Sequence, residues 1–198
     1  MLIEDTPVPL AALPLAAFRA HLRMGTGFAD ESLQDALLEM HLRAAMAAIE
    51  ARTSKILIAR AFRWTVTEWR EAASEPLPVA PVSEIASLHL VDRAGTITAV
   101  PSERWHLARA TQPQTLVATQ GTLPVIAQHG RAEVTLTAGF GATWDTVPGD
   151  LAQAVLMLAA HFYEFRHSAE GRGVNIPTDI AALIAPHCQV RIGFGGAS

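Results

Sequence analysis

Apolar and polar positions repeat with two different periods along the chain, which predicts helices towards both ends and strands between them. The clearest helical repeat is 31–53, for which Asp30 is the expected N-cap. One apolar stripe of this helix consists of Leu33, Leu37, Met40 and Ala44. A second stripe beside it consists of Leu38, Leu42, Ala45 and Ile49. Together they form a broader apolar face than packing against one partner requires.

A second long helix is predicted over 151–170, where apolar residues recur at alternating spacings of four and three, as in a coiled-coil seam. Gly171 and Gly173 follow this repeat and are expected to end the helix. Shorter helices are predicted over 14–23 and 178–185. The helical segments therefore lie on both sides of the middle of the chain.

The middle of the chain alternates with period two and is rich in β-branched and aromatic residues, which is typical of strands. Strands are predicted at 56–69, 84–92, 96–100, 104–108, 115–120 and 132–140. The turn 92–95, which begins with Asp92 and ends with Gly95, predicts a hairpin. The segment 75–82 contains three prolines, so we expect a linker or an edge strand there. These patterns predict a small, mostly antiparallel region of about five strands.

The α–β–α order predicts an α+β fold, with a helical core of two long helices plus short helices, an inserted small antiparallel β-region and an extended C-terminal tail. A chain of 198 residues fits one domain. We expect the N-terminal helices in 12–55, the β-rich insertion in 56–147, the C-terminal helices in 148–186 and the tail in 187–198.

The composition is poor in charge, with 15 Lys and Arg against 19 Asp and Glu, a net charge of −4. Charged residues make up 17% of the chain and hydrophobic residues 50%, where an average soluble domain has about 25% charged residues. This composition excludes an intrinsically disordered chain and a generally basic nucleic-acid binder. The shortage of charge indicates either an oligomer or a large apolar core.

Candidate chemistry is sparse. The eight histidines are scattered, with no pair at the i,i+4 spacing of ligands on one helix face, and Cys188 is the single cysteine. No nucleophile, phosphate-binding or paired-carboxylate motif is present. We therefore expect no enzyme activity, catalytic residue, cofactor or metal. The N-terminus lacks the positive region of a signal peptide and no apolar run approaches 18 residues, so we expect a soluble intracellular protein without a membrane span.

Three ordered blocks of sequence resemble the head–tail connector (adaptor) proteins of long-tailed phages, a family that also occurs in phage-derived gene transfer agents. The first is LAAFRAHLRM with the long helix that ends in AAIEARTSKIL. The second is LPVAPVSEIASLHLVDRAGTITAV. The third joins VTLTAGFG to VPGDLAQAVLMLAAHFYEFRHSA and IPTDIAALIAPH. One position departs from the family: the junction that usually reads T-G-R-x-L has Ser54 in place of the glycine, so the glycine cap of that turn is missing.

The resemblance implies a virion structural protein at the neck of a phage or gene transfer agent, present in the host cytoplasm during assembly. Family members form a dodecameric ring beneath the portal protein, contact a stopper or tail-completion protein below, and continue the channel through which DNA passes without sequence-specific binding. With a net charge of −4, we expect the residues that face this channel to be neutral or acidic on balance.

The resemblance implies one set of interaction residues, and the broad apolar face of helix 31–53 indicates a second. The C-terminal segments of the family dock on the portal, which assigns that role here to Val190, Arg191, Ile192 and Phe194. We expect one stripe of helix 31–53 to meet a neighbouring subunit, namely Leu38, Leu42, Ala45 and Ile49. A frayed terminus remains the alternative for the tail. For the whole chain, the alternatives are another neck component, such as a stopper or tail-completion protein, and a small hydrolase.

Overall fold

The computed structural model describes residues 1–23, 31–165 and 176–188, with side chains left out at 31–33. Within them the chain forms two compact units. One unit contains strands and consists of Met1–Leu13 and Ile56–Val147. The other contains helices and consists of Pro14–Lys55 and the chain from Pro148 onward. The α+β class predicted from the sequence is confirmed.

The strand unit contains two antiparallel sheets. The first has the order β1–β2–β8–β4–β5, with β1 Leu2–Glu4, β2 Arg60–Val66, β4 Val82–Val91, β5 Ile97–Ala99 and β8 Arg131–Ala138. The second has the order β3–β7–β6, with β3 Ser74–Pro76, β6 Trp105–Ala108 and β7 Thr115–Ala118. The described residues thus form eight strands, more than the five or so expected. Strand β1 is not predicted by the sequence pattern because three residues are too few to show a period.

Strand β8 is the centre of the first sheet, paired with β2 on one side and β4 on the other. Its alternate residues are fully buried: Ala132, Val134, Leu136 and Ala138. Its end is tightly packed, because a Cβ added to Gly139 (φ +136°) would lie 2.3 Å from the Ala59 backbone. Only glycine fits this close approach.

Two predicted features of the β-region are confirmed in detail. Asp92 shapes the β4–β5 hairpin: its carbonyl accepts the Gly95 N–H at 3.1 Å and its Oδ1 accepts the Thr96 N–H at 2.8 Å. The proline-rich segment begins as β3, an edge strand of the second sheet. The two sheets are also connected, because the Gln114 side chain accepts the Val82 N–H at 2.6 Å and donates to the Val82 carbonyl at 3.1 Å.

The helical unit contains α1 Leu15–His21, α2 Glu31–Thr53, α3 Gly149–Glu164 and α4 Thr178–Ile184, followed by a short 3-10 turn, Ala185–His187. Helices α2 and α3 pack against each other, with α1 and α4 beside them. The core of this unit includes Phe18, Leu151, Val155, Leu158, Ile180 and Ile184, all fully or almost fully buried.

The prediction that the second long helix reaches residue 170 is wrong. Helix α3 ends at Glu164, and Phe165 leaves helical geometry with φ −97° and ψ 18°. Phe165 belongs to the apolar repeat but is 54% exposed, so the rest of the chain does not cover it. Helical geometry at this position therefore gains little stability from packing. Residues 166–175 lie outside the described residues, as does the predicted N-cap Asp30.

Candidate functional site

The four residues expected at a subunit contact are part of the core of the helical unit. Leu38 is 1% exposed, and Leu42, Ala45 and Ile49 are 0% exposed, within the single chain. A side chain already covered by its own chain has no surface left to offer a neighbour. The interface prediction for these four residues is therefore corrected: they stabilise the packing of α2 inside the chain.

The other stripe of α2 is the one that faces outwards. Met40 is 55% exposed, Ala44 is exposed and Leu37 is half-buried. The exposed apolar positions of the helix continue beyond the stripe read from the sequence: Ala36, Met40, Ala44, Ala47 and Ala51. We call this set the Ala–Met stripe. It is the candidate surface of α2, on the side of the helix opposite to the four residues predicted from the sequence.

Two ion pairs involve charged residues of α2. Arg43 Nε donates to Glu39 Oε1 at 2.8 Å, one turn apart on α2. Arg19 of α1 forms an ion pair with Asp35 of α2. The pair that lies beside the stripe, Glu39 with Arg43, is therefore compensated, whereas Asp35 lies nearer the buried face of the helix.

A second candidate feature lies where the chain enters the predicted portal-binding tail. His187 Nε2 lies 2.5 Å from Asp150 Oδ2, and Asp150 Oδ1 accepts the Leu151 N–H at 2.8 Å. Partial burial raises the pKa of the Asp150 carboxyl, but the hydrogen bonds from His187 and Leu151 and the charge of His187 outweigh it, so the pKa lies below its usual value. The contact thus fastens the chain to the start of α3 immediately before the tail.

The tail residues themselves, Val190, Arg191, Ile192 and Phe194, lie outside the described residues. The last described residue, Cys188, has its Sγ 3.5 Å from the Ile184 carbonyl oxygen and 3.8 Å from that of Arg52. The His187 ring contacts Asp150 instead. The two neighbouring residues therefore serve separate contacts in the helical unit.

The strand unit has its own exposed apolar position in the loop between β7 and β8. Val125 is 84% exposed there. The loop is held by Trp69, whose Nε1 donates to the Pro124 carbonyl at 2.8 Å. Trp64 and Trp105 are buried in the core of this unit.

Across the described parts of the chain, no group of three or more His, Cys, Asp or Glu side chains could hold a metal ion. None of the described helices is both long and apolar enough to cross a membrane.

Comparison with known proteins identifies the setting in which these surfaces act. A scan against protein-family models found no match, and neither did a search of the curated proteins. Solved structures do match over nearly the whole chain. A chain from the neck of an empty gene transfer agent particle, computed with C6 symmetry, is 48% identical with a TM-score of 0.88, and 98% of each chain is covered.

Two further structures agree with the first. A chain from the virion of a native gene transfer agent particle is 47% identical with a TM-score of 0.84. A chain from the neck of a native particle, computed with C12 symmetry, is 44% identical with a TM-score of 0.83. Both matches cover 98% of this chain and 98% of the other.

The fold and its outward-facing apolar positions, together with these matches, define a structural component of a phage-like particle. More particularly, the chain belongs to the family of neck proteins of gene transfer agent particles. Its location is the neck of such a particle, where symmetric copies form an oligomeric assembly. The resemblance read from the sequence is confirmed at this level.

Proposed function

We propose that this chain is the head–tail connector, or adaptor, of its particle. It forms a dodecameric ring between the portal protein and the tail-side neck proteins, a stopper or a tail-completion protein, and continues the DNA channel. The observation that carries the proposal is the match over 98% of the chain, at 44–48% identity, to chains of gene transfer agent necks. Its role is structural, so it turns over no substrate.

The symmetry of the matched necks supports the number of copies. A ring of twelve satisfies both a C12 and a C6 reconstruction, because six-fold rotations are contained among the twelve-fold ones. A ring of six does not satisfy C12 symmetry. The matches to chains from a C6 and from a C12 neck therefore favour twelve copies.

The portal contact is proposed for the C-terminal tail, through Val190, Arg191, Ile192 and Phe194. The segment 189–198 contains one charged residue and several apolar ones. The apolar side chains of such a segment would gain burial on docking against a partner surface, which suits the segment to a contact made on assembly. The contact between His187 and Asp150 supports this role, since it fixes the point from which the tail departs.

The charge balance supports a channel that lets DNA slide. A basic lining would release counterions on contact and hold the duplex tightly. The chain carries four more acidic than basic residues. A lining that is neutral or acidic on balance would leave the duplex free to move along the channel, so DNA is a passing partner rather than a bound one.

Cryo-electron microscopy of purified particles tests the proposal directly. We expect twelve copies of this chain directly below the portal, with residues 189–198 ordered against the portal surface. A position further down the neck, separated from the portal by another ring, would instead make the chain a stopper or tail-completion protein. A continuous Arg-lined bore would overturn the proposed channel chemistry.

A truncated chain that ends at Cys188 tests the tail separately. We expect its helical unit to fold as in the full chain, because the truncated chain keeps the contacts of His187 with Asp150 and of Cys188 with Ile184. Particles made with it should lack the ring below the portal. The matched control replaces Ser198 alone with Ala, which leaves the apolar residues of the tail in place.

A further inference from the structure

The exposed face of α2 carries no charged residue over most of the helix. Successive residues of an α-helix are rotated by about 100° around its axis. The five residues of the Ala–Met stripe therefore lie within an arc of about 80° and extend over about 22 Å of the helix. The buried face of Leu38, Leu42, Ala45 and Ile49 lies on the opposite side. A helix on the surface of a soluble domain ordinarily has charged and polar residues on its exposed face, where α2 has the Ala–Met stripe.

The charged residues of α2 lie outside the stripe, and one neutralised pair flanks it. Glu39 and Arg43 occupy one flank and pair with each other at 2.8 Å. The other flank is Leu37 and Ala48, both half-buried, so the stripe continues into the apolar core on that side. A partner can therefore cover the stripe without burying an isolated charge, which would be costly.

The sizes of the side chains also suit close contact with a folded surface. Four of the five stripe residues are alanines. Such small side chains allow the axis of another helix to approach to about 8 Å, the lower end of the usual range of about 8–10 Å. Met40 is the one long side chain, and its flexible thioether adapts to an irregular surface. The combination is typical of a helix packed against a second protein surface.

We propose that the Ala–Met stripe is the surface through which each copy of this chain contacts the next copy in the ring. The inference rests on the proposed function. The occupant is a second copy because the matched chains come from necks with C6 and C12 rotational symmetry, in which identical chains repeat around an axis. Such a contact is heterologous, so the stripe of one copy meets a different surface of its neighbour.

Site-specific photo-crosslinking in assembled particles identifies what covers the stripe. A photoreactive amino acid replaces Ala44, and in a control it replaces Gln34, which is exposed on the same helix outside the stripe. We expect the Ala44 probe to give a product of twice the mass of the chain, and the Gln34 probe to give much less of it. A product with a different neck protein, or no product in particles that contain the ring, would overturn the inference.

The variant Ala44→Glu tests the energetics of the same contact. A carboxylate at this position would be desolvated between two copies, so we expect incorporation of the chain into particles to fall on the order of tenfold or more. The control is Gln34→Glu, which adds the same charge outside the stripe and should incorporate like the wild type. Thermal unfolding of both purified variants should be close to that of the wild type, because both positions are exposed in the single chain.

The heterologous geometry gives a further expected result. Ala44→Glu leaves the opposite contact surface intact, so the variant should still join one side of a growing ring and block its extension. Co-expression with the wild-type chain should therefore reduce the yield of complete necks. If the wild-type chain forms the ring at the portal and Ala44→Glu assembles there equally well, the role of the stripe is refuted and the proposed function stands. If the wild-type chain is absent from the ring at the portal, the proposed function itself is refuted.

Discussion

His187 and Asp150 join the end of the last described helical segment to the first turn of α3, with His187 Nε2 2.5 Å from Asp150 Oδ2. Asp150 also accepts the N–H of Leu151 at 2.8 Å, so its carboxylate serves the helix start and the chain end together. A carboxylate in the first turn of a helix is further favoured by the partial positive charge of the helix N-terminus.

This geometry predicts an acid dependence of stability. The folded-state pKa of Asp150 is lowered, so its stabilisation is fully present above the unfolded pKa of about 4 and is lost as the pH falls through the folded pKa. Asp150→Asn should make the free energy of unfolding fall less steeply between about pH 5 and pH 2. Because the side chain is 38% exposed, solvent screening limits the difference to about 1 kcal/mol or less.

Urea unfolding at a series of pH values, followed by circular dichroism, measures this slope. The control is Asp145→Asn, the same chemical change at an exposed position of the strand unit. An identical slope for Asp150→Asn and the wild type would show that the contact with His187 adds nothing to the folded state.

A second prediction concerns Ser54, for which the family resemblance implies a glycine. Its φ is +56°, a left-handed conformation that costs an L-residue with a Cβ roughly 1–2 kcal/mol. The turn therefore keeps the conformation of a glycine cap at the end of α2 without the glycine. Ser54→Gly should raise the free energy of unfolding by about 0.5–1 kcal/mol, since glycine loses part of the gain through its more flexible unfolded state.

Chemical denaturation of the two proteins checks this value. Ser87→Gly is the matched control, because Ser87 lies in β4 and not in the left-handed region. There glycine should lower the free energy of unfolding by a similar amount. If Ser54→Gly destabilised the chain as Ser87→Gly does, the positive φ of Ser54 would not be a source of strain.

The third prediction separates the two stripes of α2. Leu42→Ala removes a fully buried side chain and should lower the free energy of unfolding by about 2–5 kcal/mol. Met40→Ala acts on the same helix but at a position that is 55% exposed, so its cost should be below about 1 kcal/mol. Equal effects of the two substitutions would contradict the assignment of Leu42 to the core and Met40 to the surface.

Much of the β-region can be predicted from the sequence because the signals for its turns and edge strands lie in neighbouring residues. The hairpin turn needs a side-chain acceptor at its start and a residue that tolerates positive φ at its end, and Asp92 and Gly95 supply both. The edge position of β3 follows from prolines that cannot donate to a ladder. Strand β1 could not be predicted this way, because its three residues are defined by pairing with β2, more than 50 positions later in the chain.

The assignment of the α2 stripes shows a different limit. Periodicity places residues on common faces of a helix, but it does not say which face the rest of the chain covers. A signal was present in side-chain size: the buried stripe has Leu38, Leu42 and Ile49, whereas the exposed one continues as alanines at 47 and 51. Larger side chains bury more area, so the stripe with more volume is the better candidate for the core.

The shortness of the outer strands in the larger sheet has a consequence for the life of the free chain. β1 and β5 have three residues each, whereas the inner strands β4 and β8 have ten and eight. Long unpaired edges are templates on which copies of a chain add to one another without limit and precipitate. The edge strands β1 and β5 are too short to serve as such templates, and the part of β4 that extends beyond β5 is occupied at Leu88 by the Val100 N–H and at Val82 by the Gln114 side chain. These features guard against runaway aggregation while many copies await assembly into particles.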